Sequence, residues 1–90
     1  MSESLEVSVE IALWEDGDWD RVNRALEAFD DLRVSAGTNM VEQVRDMQFE
    51  VGDEVEAVRV RRGVEAALID AGLWDQMRVL EIKRGWWEQA

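Results

Sequence analysis

Residues 5 to 14 read LEVSVEIALW, in which Leu5, Val7, Val9, Ile11 and Leu13 alternate with Glu6, Ser8, Glu10, Ala12 and Trp14. A period of two over this length predicts a half-buried strand. The period changes after the turn-like EDGD. Trp19, Val22, Leu26 and Phe29 recur at helical spacing with Asp20, Arg21, Arg24 and Glu27 opposite them, and Asp18 stands where an N-cap would accept backbone N–H bonds. An amphipathic helix is therefore expected over 19–31. A second strand follows at about Leu32 to Ala36, ending in a turn at Gly37, Thr38 and Asn39, and a third lies near Arg45 to Val51. In the third, Met47, Phe49 and Val51 share one face, and Asp46, Gln48 and Glu50 share the other. Between the second and third strands, Met40, Val41, Val44 and Met47 would also suit a helical turn.

Residues 53–72, DEVEAVRVRRGVEAALIDAG, support two readings. VEAVRVRR alternates like a strand and could form a hairpin after Gly52 and Asp53. The helix reading explains more residues. Asp53 followed by Glu56 is close to a capping box, Ala57, Val60, Val64, Ala67, Leu68 and Ala71 lie along one helical face, and Gly72 is placed as a C-terminal cap. The valines and Gly63 weigh against it. A last strand is expected from about Gln76 to Arg84, with Leu80 and Ile82 inward and Met77, Val79 and Glu81 outward.

The order strand, helix, strand, strand, helix, strand is similar in topology to the ferredoxin-like split β-α-β plait, an α+β fold in which both helices cover one face of a four-stranded antiparallel sheet. The likeness covers about residues 5 to 84 and identifies no family. It implies the strand order fourth, first, third, second. Glu6, Ser8 and Glu10 would then sit beside Asp46, Gln48 and Glu50 on the open face of the sheet. Met77 and Val79 would point outward on an edge strand, where unpaired N–H and C=O groups can template another chain. Trp14, Trp19 and Trp74 converge on one pole and are expected to close the core there, with an aromatic binding spot as the lesser alternative. In the terminal KRGWWEQA, a strand that runs on through Gly85 puts Trp86 under the helices and Trp87 on the outward side, free for a partner, whereas a bend at Gly85 inverts the two and packs the tail across the domain end.

Composition narrows what such a surface can do. The chain has 90 residues, 47% hydrophobic and 34% charged, which suits a single domain over 1–90 with an ordered core at about 5–84 and a strand extension at 85–90. Its 21 acidic and 10 basic side chains give a formal net charge of -11. Residues 1–31 hold ten acidic and two basic groups, and residues 32–90 hold eleven and eight. A charge of this sign disfavours direct binding of nucleic acid or an anionic membrane. No signal-peptide pattern and no apolar run of membrane-spanning length is visible, so a cytoplasmic location is expected.

The usual reactive groups are missing. Histidine, cysteine and tyrosine are absent, which removes the commonest general base, metal ligand and covalent nucleophile. Asp16, Asp18, Asp20 and Glu27 match positions 1, 3, 5 and 12 of a calcium loop, but Arg21 occupies the position that needs glycine. Capping and dipole complementation explain these acids more simply. The six glycines are scattered singly, each where a turn or helix end would want one, and none forms a phosphate loop. Arg59, Arg61 and Arg62 suit a solvated helix face. No cofactor, no metal and no enzymatic activity are expected.

The sequence thus points to an acidic protein-binding module. In its sharpest form this is a small inhibitor that blocks a nucleic-acid-binding protein complex by presenting carboxylates to a basic surface as a nucleic-acid mimic, the spaced acids imitating a phosphate row, as phage counter-defence proteins such as anti-CRISPRs do. Glu6, Glu10, Asp46 and Glu50 would supply the charge, with Met77, Val79 and Trp87 as apolar contacts. The alternative is a homodimeric ferredoxin-like ligand-binding or structural protein from a salt-adapted host, in which acidity serves solvation.

Overall fold

The computed structural model describes residues 5–84. Strands β1 (Leu5–Ala12), β2 (Arg33–Asn39), β3 (Val44–Val51) and β4 (Met77–Arg84) form one antiparallel sheet in the order β2-β3-β1-β4. The main helices are α1 (Asp18–Ala25) and α2 (Glu54–Asp70), and short 3₁₀ segments at Glu27–Leu32 and Trp74–Gln76 lead into β2 and β4. The fold is therefore α+β, with β1 and β3 central and β2 and β4 at the edges. Among the described residues, no helix is long and apolar enough to cross a membrane.

The alternation in β1 does what its period requires. Val7, Val9 and Ile11 are fully buried, and they pack with Met47, Phe49 and Val51 of β3, Val22 of α1, and Ala57, Val60, Val64 and Leu68 of α2. Each aliphatic side chain of this kind contributes about 1.5–3 kcal/mol when removed from water. One cluster thus ties both helices to the same side of the two central strands.

The segment with two readings is a helix, and its ends explain why. The Asp53 carboxylate accepts the Glu56 N–H at 2.8 Å, while the Glu56 carboxylate accepts the Gly52 N–H at 3.0 Å. These bonds satisfy donors that a bare helix start would leave unpaired. At the other end Gly72 adopts φ 72°, the Leu73 N–H reaches the Leu68 carbonyl at 2.8 Å, and the Gly72 N–H reaches Ile69 at 3.1 Å. This is a Schellman closure, and Leu73 beyond it is fully buried. Two satisfied ends and a buried stripe outweigh the modest strand preference of the valines.

Four local expectations need correction. First, α1 stops at Ala25 instead of Asp31, and the chain tightens into the 3₁₀ segment. Leu26, Phe29 and Leu32 are spaced by three, the repeat of a 3₁₀ helix, and all three pack on the core. Second, β2 runs on through Gly37, Thr38 and Asn39, and the turn falls at residues 40–43. The Asn39 carboxamide forms it by accepting the N–H groups of Val41 and Glu42, both at 3.0 Å. Third, Gly63 marks no turn or helix end. It lies inside α2, where an added Cβ would come within 2.8 Å of Phe29 Cζ, so its missing side chain lets that ring reach Phe49 edge-on at 5.9 Å. Fourth, Asp18 does not cap α1, whose N-cap position falls to Gly17. The Asp18 carboxylate turns back toward the preceding loop, as described below.

Candidate functional site

Two surfaces can meet a partner, and the register of the sheet defines the first. On β1 and β3, Glu6 lies directly opposite Glu50, Ser8 opposite Gln48, and Glu10 opposite Asp46. On the other flank of β1, Glu6 faces Lys83, Ser8 faces Glu81 and Glu10 faces Val79. The four carboxylates named from the sequence are therefore together on one sheet face, in two like-charged cross-strand pairs. Opposed like charges destabilise a sheet. They are unequally accessible, since Glu6 retains only 7% of its exposure, Glu10 and Asp46 are half-buried, and Glu50 is exposed. The two pairs stand four residues apart, about 13 Å along the strands. Four carboxylates over that length are about half as dense as the phosphates of a duplex, which carries one charge per roughly 1.7 Å. The face is a broad acidic field, to which Glu81 of β4 adds a further carboxylate opposite Ser8.

The edge strand departs from its predicted parity. The pairing of β1 with β4 shifts between Glu10, opposite Val79, and Ile11, opposite Met77, leaving Arg78 as an extra residue in the strand. This bulge turns Met77 inward, and its side chain packs on the core beside Leu80. Met77 is not an outward contact. Val79 keeps its place on the open face, half-buried beside Glu10. Arg78 approaches Glu42 of the β2–β3 turn at 3.7 Å. Trp86 and Trp87 lie outside the described residues.

The second surface is the pole where β1 ends, α1 begins and β4 starts. The expected convergence occurs there, but polar groups make it. Asp18, 1% exposed, accepts the N–H groups of Trp14 at 2.9 Å and Glu15 at 3.0 Å, the Arg21 guanidinium at 2.9 Å and the Gln76 carboxamide at 2.9 Å. The same Gln76 nitrogen donates to the carbonyl of Ala12 at 2.9 Å. Arg21 also reaches the Ala71 carbonyl at the end of α2, at 2.8 Å. Burial pushes the Asp18 carboxyl up, but hydrogen bonds from Glu15, Gln76, Trp14 and Arg21 outweigh it and hold the group below its ordinary value. Gly17 supplies the left-handed conformation, φ 91°, that folds the loop back over this carboxylate.

The tryptophans at this pole do not close the core as expected. Only Trp74 packs against it; Trp14 is 63% exposed and Trp19 46%. Trp19 is nevertheless held in place. Its indole N–H donates to Thr38 Oγ1 at 3.0 Å, and the Arg45 guanidinium lies 5.0 Å from its ring centre. Arg45 has the inward parity of Met47 and Phe49. It donates to Asn23 Oδ1 at 3.1 Å and to the Gly37 carbonyl and Thr38 Oγ1 at 3.2 Å. Burial and the charge of Arg33 lower its proton affinity, and Asp46 opposes them. Met40 and Val41, at the tip of the β2–β3 turn, are 76% and 94% exposed, and the Leu13 N–H bonds the Gln43 carbonyl at 2.7 Å, joining that turn to the tryptophan loop.

The sequence suggested an aromatic binding spot at this pole only as the lesser alternative to core closure, and pointed to neither Arg45 nor the Met40–Val41 tip as part of it. Two signals were present: a charged Arg45 at an inward strand position, and an apolar Met-Val pair in an otherwise polar turn. No group of three or more acidic side chains capable of holding a metal occurs among the described residues. Comparison with known proteins finds no family model, no curated protein and no solved structure that matches the chain.

Proposed function

We propose that the protein is a non-enzymatic acidic module that binds a basic protein surface through the open face of a ferredoxin-like plait, and that its partner is a nucleic-acid-binding protein or complex whose groove it obstructs. The strand order β2-β3-β1-β4 with both helices packed on one cluster supports the plait. The observation that carries the binding role is the pair of opposed carboxylates, Glu6 with Glu50 and Glu10 with Asp46, on adjacent central strands. Such pairs cost the isolated fold stability, and a basic partner converts that cost into association energy and rate. The obstruction is electrostatic in kind. Nucleic acid is a competitor for the same groove and not a ligand of this chain.

The test is capture of partners from a lysate on the immobilised protein, beside a variant carrying Glu10→Gln, Asp46→Asn and Glu50→Gln. Nucleic-acid-binding proteins should be retained at low salt, released as salt rises, and displaced by duplex DNA or RNA. The neutralised variant should retain them poorly. Equal capture by both proteins, or retention indifferent to salt, removes the acidic face from the function.

A homodimer is the second reading, supported by the edge position of β4 and by the exposure of Val58 and Ile82 beside it. Sedimentation at increasing concentration separates the two, since the binding module stays monomeric without its partner.

A further inference from the structure

The pole holds a feature that the open face lacks. Between Trp14, Trp19, Met40 and Gln43 lies a cleft of about 230 Å³, bordered by Glu15 and Asp16. Small-molecule sites usually enclose about 300–1,000 Å³. The cleft therefore fits one side chain better than a whole metabolite. Its walls are aromatic and apolar, its rim is anionic, and the backbone beneath Trp14 and Glu15 is fixed by the buried Asp18 carboxylate. Gln43, whose carbonyl ties the opposite wall to Leu13, holds φ 55°, a conformation uncommon for a residue with a side chain. A large exposed indole on an anchored backbone loses little freedom when it is covered, the property that makes tryptophan a frequent interface anchor.

The protein itself shows which cation suits such walls. Arg45 lies over the Trp19 ring at 5.0 Å while hydrogen-bonding the threonine that holds the same indole. A planar guanidinium can stack on an indole and use its edge for oxygen acceptors at the same time. The cleft offers both kinds of contact again, with exposed indole on its walls and the carboxylates of Glu15 and Asp16 at its rim.

We propose that this cleft is a binding site for a single arginine side chain presented on an exposed, basic segment of another protein. The guanidinium stacks on the exposed indoles and forks to the rim carboxylates, and the methylenes of its stem lie along Met40. The site stands apart from the acidic field of the sheet, and each can fail without the other.

The probe is a short capped peptide with one arginine among glycines and serines, followed through the indole N–H signals of the isotope-labelled protein. Those of Trp14 and Trp19 should shift and saturate while that of Trp74 stays in place. A lysine peptide should bind several-fold more weakly, and a citrulline peptide, which keeps the shape without the charge, at least tenfold more weakly. Trp14→Ala should weaken binding roughly tenfold, as should the pair Glu15→Gln and Asp16→Asn. Both variants alter exposed side chains, and an unchanged amide spectrum elsewhere certifies the fold. Equal binding of the citrulline peptide overturns the proposal. So do shifts confined to Glu10, Asp46 and Glu50, or indole shifts that follow protein concentration without peptide, which would make a second copy of the chain the occupant.

Discussion

The open sheet face and the tryptophan pole are both acidic surfaces, but they handle charge in opposite ways. On the sheet, Glu10 and Asp46 face each other across two strands with Val79 on the remaining flank, and Glu6 stands between Glu50 on one side and Lys83 on the other. At the pole, one buried carboxylate receives four hydrogen bonds, two of them from the backbone that carries Trp14 and Glu15. A carboxylate among carboxylates raises the energy of the fold, whereas a carboxylate among donors organises it. The contrast separates a surface that tolerates charge from one built around it.

If Asp18 organises the pole, its removal should be the costliest single change at either surface. Asp18→Ala leaves the amides of Trp14 and Glu15 and the Gln76 carboxamide without their acceptor, at about 1–3 kcal/mol for each donor that stays dry. A loss of about 3–5 kcal/mol in denaturant unfolding is expected after partial rehydration. A loss below about 1 kcal/mol would show that water replaces this carboxylate freely.

Acid titration probes the same group more gently. Because the folded carboxyl titrates below its ordinary value of 3.8, its contribution is complete above the unfolded value and is lost as pH falls through the folded one. The stability gap between the wild type and Asp18→Asn should therefore be constant near neutrality and narrow from about pH 5 downward. The other carboxylates are common to both proteins and largely cancel in the difference. A gap that widens on acidification would reverse the sign assigned to Asp18.

Arg45 gives an intermediate effect. Arg45→Met keeps an unbranched stem at this inward position but removes the guanidinium over Trp19 and its fork to Asn23, Gly37 and Thr38. A destabilisation of about 1–2 kcal/mol is expected, together with a shift of the Trp19 indole signal. Arg45→Lys should recover only part of it, because an ammonium cannot reach all three acceptors with the same geometry.

The two surfaces were also unequally legible in the sequence. Strand parity alone placed Glu6, Glu10, Asp46 and Glu50 on one face, because side-chain direction in a strand depends only on counting. Counting failed at Met77, where the bulge at Arg78 adds a residue to β4 and reverses parity for what precedes it. At the pole the chain order brought Trp14, Trp19 and Trp74 together, yet burial did not follow from hydrophobicity. The convergence there is satisfied by Asp18 and Gln76, whose hydrogen bonds span 58 positions and leave no periodic trace. Asp18 in front of helical spacing looks like a cap, and only tertiary structure shows its oxygens turned back to Trp14 and Glu15. The contraction of α1 was closer to legible, since Leu26, Phe29 and Leu32 carry the spacing of three that the 3₁₀ segment adopts.

The smallest effect belongs to the sheet face, and its sign is the informative part. Glu50→Lys replaces one member of an opposed acidic pair with a cation facing Glu6, and should stabilise the protein by about 0.2–1 kcal/mol. Added salt should stabilise the wild type more than this variant, because screening relieves a repulsion that the variant lacks. Asp46→Lys should act in the same direction opposite Glu10, less the attraction that Asp46 exerts on Arg45. Glu6 faces Lys83 as well as Glu50, which limits the gain from the Glu50 substitution in turn. Destabilisation by both substitutions would mean that the carboxylates hold structural partners, and the acidic face would then belong with the pole, as charge the fold requires. Stabilisation by both leaves an array that the isolated chain would fold better without, in which case the reason for its presence lies in what it meets.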